Sequence, residues 1–387
     1  MKTDNTPIEN TQIPLTIREV KSKKELKKFI YLPEKIHQNH PNWVHPIYMD
    51  DWEFFNPEKN KSFQYCDTIL FLAYRGAKVV GRIMGIIHNK YNTDHQENNA
   101  RFAFFETWND EDVATALLLA VEEWSKEQKM DRLIGPLGFS DKDPQGFLIE
   151  GFDEPAVIAS NCNFPYQPEL LEKNGYSKEV DLVVYQIKVP NPIPEFYLKI
   201  QERAIRMNPK LRILEFRSRK SVKPYIHPIL HLLNRTFTEI FGFMPFSDEE
   251  MDDFANRYLF LINPAFIKVV VTEQNEVVAF FIGMSHIGDG IRKAKGRILP
   301  FGIFRILSSA RKSKQLNLLL GGIHPDYRGK GLDVMMGVKM LESATRFGKT
   351  TIDSHLELEN NTMVRAEMEK MNGRVYKRFR VFGKSLN

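Results

Sequence analysis

The chain has 387 residues, of which 42% are hydrophobic and 27% charged, so two globular domains of ordinary composition are expected. A net charge of +5 is too small to indicate nucleic-acid binding by itself. The two cysteines, Cys66 and Cys162, exclude a disulfide framework and favour a reducing, cytoplasmic location. Residues 1–14 are polar and are predicted to be disordered, without the apolar core of a signal peptide.

In the first half of the chain, alternating β-rich residues predict a hairpin over 68–87 and a third strand over 100–106. An apolar stripe from Val113 to Trp124 then predicts an amphipathic helix, which Asn109 or Asp110 would cap. A short strand over 132–137, a helix ending at Asn174 and a strand over 181–187 follow.

The second half repeats this order. Two strands, over 266–271 and 277–284, flank a turn, and a third strand covers 316–320. A helix is expected after Gly331, with Met336, Met340, Ala344 and Phe347 on its buried face. A strand over 350–358, a helix ending at Gly373 and a strand over 376–382 complete the series.

A Pro-rich stretch, Pro190–Pro194, separates the two halves, because it cannot continue a helix or a central strand. The repeated order predicts a duplicated α/β (α+β) unit in which a mixed sheet is flanked by helices. The predicted domains therefore cover residues 15–190 and 191–387.

The sharpest motif runs from Leu320 to Leu332, where a strand leads through a turn into Arg-Gly-Lys-Gly and a helix. Glycines let the backbone approach an anion closely, and the N–H groups of the helix start attract negative charge. Arg328 and Lys330 add positive charge. On these grounds alone, the motif indicates either an anion site or an ordinary turn. It lacks the Gly-Lys-Ser/Thr of a Walker loop and the third glycine of a dinucleotide fingerprint.

The run Ile323-His-Pro-Asp-Tyr-Arg-Gly-Lys-Gly-Leu332 closely resembles the acyl-CoA loop of GNAT N-acyltransferases. Asp333 departs from that pattern, which has Gly or Ala at this position. The resemblance covers most of 265–387 and implies an acyl-CoA co-substrate, a primary-amine acceptor and no metal. The residues that it assigns to acyl-CoA are Gly322, Ile323, Arg328, Gly329, Lys330, Gly331, Leu332 and Asn361.

The resemblance also implies a base for the ammonium and an acid for the leaving thiolate. If 351–359 is one strand, His355, Glu357 and Glu359 share a face. Glu359 is the first candidate base and His355 the second. The family's acidic Tyr corresponds to Met368, so Tyr376 is the candidate acid. Each of these polar groups also suits a solvated strand end.

In the first half, the corresponding loop reads Glu-Thr-Trp-Asn-Asp-Glu-Asp. Its acidic side chains would repel a pyrophosphate. The domain over 15–190 is therefore predicted to be a degenerate GNAT-like unit.

The segment 291–314 holds eight Lys or Arg residues, no acidic residue and many apolar ones. This pattern is typical of a peripheral contact with an anionic membrane, here the inner face of the cytoplasmic membrane, or of a packed helix with a basic edge. The layout is similar to that of bacterial ceramide synthases, which indicates a lipid or long-chain-base amine as acceptor.

Two alternatives remain open. One is an aminoacyl-tRNA-dependent transferase of the peptidoglycan-bridge type, although the Arg-Gly-Lys-Gly loop favours CoA over nucleic acid. The other is a non-catalytic CoA-sensing or membrane-binding module. No metal site is predicted, because His37, His40 and His45, and the pair His227 and His231, lack an acidic or Cys partner at ligand spacing in the sequence.

Overall fold

A computed structural model of the protein describes residues 13–158 and 160–387. The predicted disordered terminus lies outside the described residues, except for Ile13 and Pro14. Unit 1 comprises the described residues up to Val183 together with Ile291–Ile303 and Lys377–Asn387, and unit 2 comprises Val184–Gly290 and Phe304–Tyr376. The predicted boundary between two functional domains, between residues 190 and 191, remains a prediction, because it concerns the function of each half.

Unit 1 contains the predicted hairpin, the third strand and the amphipathic helix, which Asp110 caps. Its elements are β1 (Leu15–Glu19), α1 (Lys23–Ile36), α2 (Tyr48–Phe54), β2 (Cys66–Arg75), β3 (Lys78–His88), α3 (Asn89–His95), β4 (Asn99–Thr107), α4 (Glu111–Glu127), β5 (Arg132–Gly135), β6 (Phe147–Glu150), α5 (Tyr166–Lys173) and most of β7 (Ser177–Lys188).

Unit 2 begins within β7 and repeats the order of strands and helix. Its further elements are α6 (Glu195–Met207), β8 (Arg212–Glu215), α7 (Arg219–Val222), α8 (Ile226–Thr236), α9 (Asp248–Tyr258), β9 (Ile267–Val271), β10 (Val277–Ser285), part of α10 (Gly288–Ala294), most of α11 (Gly302–Lys312), β11 (Gln315–Ile323), α12 (Leu332–Arg346), β12 (Thr351–Asp353), β13 (Glu357–Leu358), α13 (Thr362–Lys370) and the start of β14 (Arg374–Ser385).

Each unit is built on a mixed sheet. In unit 1 the strand order is β1–β2–β3–β4–β5–β14, and only β4 and β5 are parallel. In unit 2 the order is β8–β9–β10–β11–β12–β7, and only β11 and β12 are parallel. Both units therefore place one parallel pair inside an otherwise antiparallel sheet.

Apolar side chains cover the sheets. In unit 1, α4 packs its Val113, Leu117 and Val121 on one face, and α1 packs Phe29 and Ile30 in a second cluster. In unit 2, α12 contributes Leu332, Met336, Met340, Leu341 and Ala344 to two clusters that include strand residues. Phe347, predicted to lie on this buried face, is instead exposed at the end of α12.

The single strand predicted over 350–358 is wrong. It is interrupted between β12 and β13, where His355 has φ 61°, a left-handed conformation that cannot continue a strand. Among the described helices, none is both long and apolar enough to cross a bilayer.

Candidate active site

The two parallel strands of unit 2 pair over a short stretch only. Gln315–Asn317 of β11 lie opposite Thr351–Asp353 of β12, and β11 continues to Ile323. The register of β11 on β10 shifts at Leu319, which is a bulge. Residues 318–323 would extend about 20 Å beyond the paired stretch. The result is a wedge with its apex at Asn317 and Asp353.

At this apex, Asn317 is fully buried. Its Oδ1 accepts a hydrogen bond from Gln315 Nε2 at 2.8 Å. Its Nδ2 has no hydrogen-bond partner among the described residues. An orphaned buried donor calls for an explanation, and a ligand oxygen in the wedge would satisfy it.

The loop that follows β11 leads into α12. After a 3₁₀ turn over Pro325–Tyr327, Gly329 and Gly331 have φ of 70° and 79°. Gly331 is the N-cap of α12, and no side chain caps the helix. The side chains of Arg328 and Lys330 are exposed. The first N–H groups of a 15-residue helix, without a side-chain cap and beside two cations, make this helix start a candidate anion site, although Asp333 adds a negative charge to the first turn.

The glycines of the loop have different structural roles. A Cβ on Gly331 would lie 2.8 Å from the Cβ of Ala204 on α6, whereas one on Gly329 would meet nothing within 4 Å. A Cβ on Gly322 would lie 2.9 Å from both the Phe280 ring and Thr236 Oγ1. The need for glycine at 322 and 331 is therefore explained by packing, whether or not a ligand binds.

Ile323 and Leu332, which are also assigned to acyl-CoA, contribute to the fold as well. Ile323 pairs with Ala279 of β10. The side chain of Leu332 is completely buried in the core. Only the main chain of Leu332 is therefore available to a ligand.

The corresponding loop of unit 1 is occupied by the chain itself. Asp110 accepts a hydrogen bond from Val113 N at 3.2 Å and so caps α4. Arg75, which is buried, pairs with the same carboxylate at 3.0 Å. The start of α4 is thus already satisfied by a carboxylate that is paired with a cation, in line with the prediction that unit 1 is degenerate.

A carboxylate at the apex of the wedge brings two of the predicted catalytic residues together. Asp353 is buried, and its Oδ2 accepts a hydrogen bond from the Tyr376 hydroxyl. Its Oδ1 accepts the backbone N–H of His355 at 2.8 Å. Ser354 Oγ in turn accepts from Tyr185 N and donates to His355 O, both at 2.9 Å. Sequence reasoning missed Asp353, although a carboxylate ending a buried strand was a usable signal.

Three carboxyl groups, on β13, α13 and α12, influence one another in pairs. Burial raises the pKa of Glu357 to about 8, and the charge of Glu367 adds to the shift. Burial and then the charge of Asp333 raise the pKa of Glu367 in turn. A carboxyl that titrates near neutral pH suits a general base, so Glu357 joins the candidates.

Helix α13 carries the remaining predicted residues. Asn361 is its N-cap, and its Oδ1 accepts Val364 N at 3.4 Å. Glu359 lies before this cap, and its carbonyl oxygen accepts a hydrogen bond from Arg365 at 2.9 Å. Met368, which replaces the family's acidic Tyr, packs against the core of unit 2.

This architecture is the tandem GNAT fold, as two solved structures show. A tandem GNAT protein from the clavulanic acid biosynthesis pathway matches with a TM-score of 0.56 and 10% identity, over 97% of this chain and 99% of that one. A GCN5-related N-acetyltransferase from Sphaerobacter thermophilus matches with a TM-score of 0.50 and 11% identity, over 96% of both chains. The fold predicted from the sequence is confirmed.

A curated relative, the bacterial ceramide synthase of Caulobacter vibrioides, is 26% identical over 98% of this chain and 100% of its own length. No model of a protein family matches the sequence. Together with the fold, this similarity supports an acyltransferase.

Proposed function

We propose that the protein transfers an acyl group from a CoA thioester to a primary amine. The observation that carries this proposal is the uncapped start of α12, with Arg328 and Lys330 beside it, at the end of the strand that leads from the wedge apex. The CoA pyrophosphate would bind at α12, and the pantetheine arm would lie along residues 318–323 towards Asp353.

In this reaction a base removes a proton from the ammonium, and the amine nitrogen attacks the thioester carbon. Glu359 and His355 are the bases that the resemblance suggests, and the raised pKa of Glu357 supports it as a third. The developing oxyanion would accept a hydrogen bond from Asn317 Nδ2, whereas the backbone N–H groups near Gly322 and Ile323, more than about 15 Å further along β11, would lie beside the pantetheine arm.

Collapse of the tetrahedral intermediate breaks the C–S bond, and the attacking nitrogen loses its second proton as the amide forms; that proton restores the one that Tyr376 gives to the thiolate. The departing thiolate then takes a proton, for which Tyr376 is the proposed donor. The hydrogen bond to Asp353 fixes the position of the Tyr376 hydroxyl. Asn361 is the residue proposed to contact the pantetheine arm. None of these steps requires a metal.

A lipid amine, such as a long-chain base, is the proposed acceptor. The name of the Caulobacter relative supports it. So does the basic segment 291–314, where Leu299, Phe301 and Phe304 are 72%, 71% and 67% exposed. Such side chains suit an anionic membrane surface, where a lipid acceptor would be found.

The test is release of free thiol by the purified protein, offered acetyl-CoA or palmitoyl-CoA with and without a long-chain amine. We expect release that depends on the amine and on the long acyl chain. Asp353→Asn should lower kcat while CoA still stabilises the protein against heat, and Asp253→Asn on the exposed face of α9 is the matched control. No release with any acyl-CoA, and no stabilisation by CoA, would refute the proposal.

A further inference from the structure

Two histidines and two aspartates meet on the neighbouring helices α8 and α9 of unit 2. His227 and His231 stand one turn apart on α8, and Asp248 and Asp252 stand one turn apart on α9. Residues four apart project from the same face of a helix. Spacing along the sequence gives the histidine pair no acidic partner, whereas the fold supplies two.

The side chains already face one another. His227 Nε2 lies 2.8 Å from Asp252 Oδ1, and His231 Nε2 lies 3.4 Å from Asp248 Oδ1. One ligand atom each from His227, His231 and Asp248 all lie within 4.8 Å of one another. Ligand atoms around a tetrahedral zinc ion are about 3.3 Å apart, given bond lengths of about 2.0–2.1 Å. Small rotations of these three side chains would close that difference.

The helices that carry these residues are held in place locally. Asn234 at the end of α8 exchanges two hydrogen bonds with the main chain of Phe246, at 2.8 and 2.9 Å. A capping box between Ser247 and Glu250 then fixes the first turn of α9, which contains Asp248. Ligands on packed helices are better positioned than ligands on loops.

We propose that His227, His231 and Asp248 form a binding site for a divalent transition metal, with zinc as the fitting ion and Asp252 positioning His227. Two imidazoles and one carboxylate are a ligand set that zinc accepts and that magnesium, which prefers oxygen, does not. The site links α8 to α9 and takes no part in the acyl-transfer chemistry. The competing account is a pair of exposed ion pairs, which contribute little to stability.

The experiment uses the full chain without a histidine tag, stripped of metal with a chelator. Zn(II) and Mg(II) are titrated calorimetrically, and Co(II) is added to record its visible spectrum. We expect one Zn(II) per chain, no response to Mg(II), and the strong visible absorption of tetrahedral Co(II). His231→Ala and Asp248→Asn should each weaken Zn(II) binding more than tenfold.

Asp253→Asn is the matched control, because Asp253 is an exposed aspartate of α9 outside the cluster. It should leave Zn(II) binding unchanged. Thermal denaturation without metal should be similar for all three variants, since the substituted side chains are exposed. The proposal is overturned if Zn(II) does not bind, or if it binds equally well to His231→Ala and Asp248→Asn.

Discussion

At the scale of single residues, the protonation of Glu357 should be visible in the stability of the protein. Its pKa is raised from 4.5 to about 8, first by burial and then by Glu367. Between these values the folded state binds the proton and the unfolded state does not, so the free energy of unfolding should fall as pH rises from about 5 to 8. Above pH 8 this contribution should level off, because the carboxyl is then ionised in both states.

Chemical denaturation at several pH values measures this effect. We expect Glu357→Gln to flatten the fall between pH 5 and 8 and Glu359→Gln to leave it in place. If Glu357 is also the base, its substitution should remove a rise in kcat with an apparent pKa near 8. An unchanged stability profile in Glu357→Gln would contradict the assignment of the raised pKa to this carboxyl.

At the scale of elements, the start of α12 should depend on Gly331 more than on Gly329. Alanine at either position meets a positive φ, which costs about 1–2 kcal/mol. Only at 331 would the new Cβ also press on Ala204, at 2.8 Å. Because α6 packs on α12, the first turn of α12 would have to move, and its N–H groups would no longer converge on a phosphate.

Calorimetric titration with CoA compares the two variants. Gly331→Ala should weaken CoA binding more than tenfold, and Gly329→Ala only a few-fold. Thermal denaturation of both variants measures how much each substitution destabilises the folded protein. Equal effects at both positions would argue against α12 as the phosphate-binding element.

The same element shows what could be predicted from the sequence. The strand, the Pro-containing turn, the two glycines and most of the apolar face of α12 are local signals that could be predicted, whereas Phe347, predicted on that face, is exposed. The interruption after β12 could not be predicted, because the alternation typical of a strand continues over 350–358. It arises where Asp353 accepts the N–H of His355 and Ser354 bonds to Tyr185, a residue distant in the sequence.

Among the other features, some had local signals in the sequence and others required the fold. Helices α6, α8 and α9 were not predicted, although the capping box at Ser247 and Glu250 is a local signal for α9. The contact of Tyr376 with Asp353 joins two strands and required the fold.

At the scale of the whole molecule, the two units are not contiguous in sequence. The segment Ile291–Ile303 belongs to unit 1. Tyr48 N donates to Gly296 O at 3.2 Å, Arg297 pairs with Glu34 at 3.4 Å, and Arg292 donates to Pro41 O at 2.5 Å. Two of the eight basic side chains thus hold the segment in place, while Leu299 and Phe301 stay exposed.

This arrangement predicts that the protein binds anionic membranes through a small apolar tip, formed by Leu299 and Phe301. Replacing Leu299 and Phe301 together with Ser should reduce co-sedimentation with phosphatidylglycerol vesicles by about tenfold or more, because each buried apolar side chain contributes about 1.5–3 kcal/mol. Phe196→Ser, which changes an equally exposed Phe on α6, is the control and should bind as the unmodified chain does.

Two further comparisons separate the apolar and the electrostatic contributions. Added salt should weaken binding to anionic vesicles, since the remaining Lys and Arg side chains act through screened charge. Vesicles of phosphatidylcholine alone should bind weakly at any salt concentration. If the double variant binds as well as the unmodified chain, the exposed tip is not a membrane anchor. The proposal of a lipid acceptor would then have to be tested by the thiol-release assay alone.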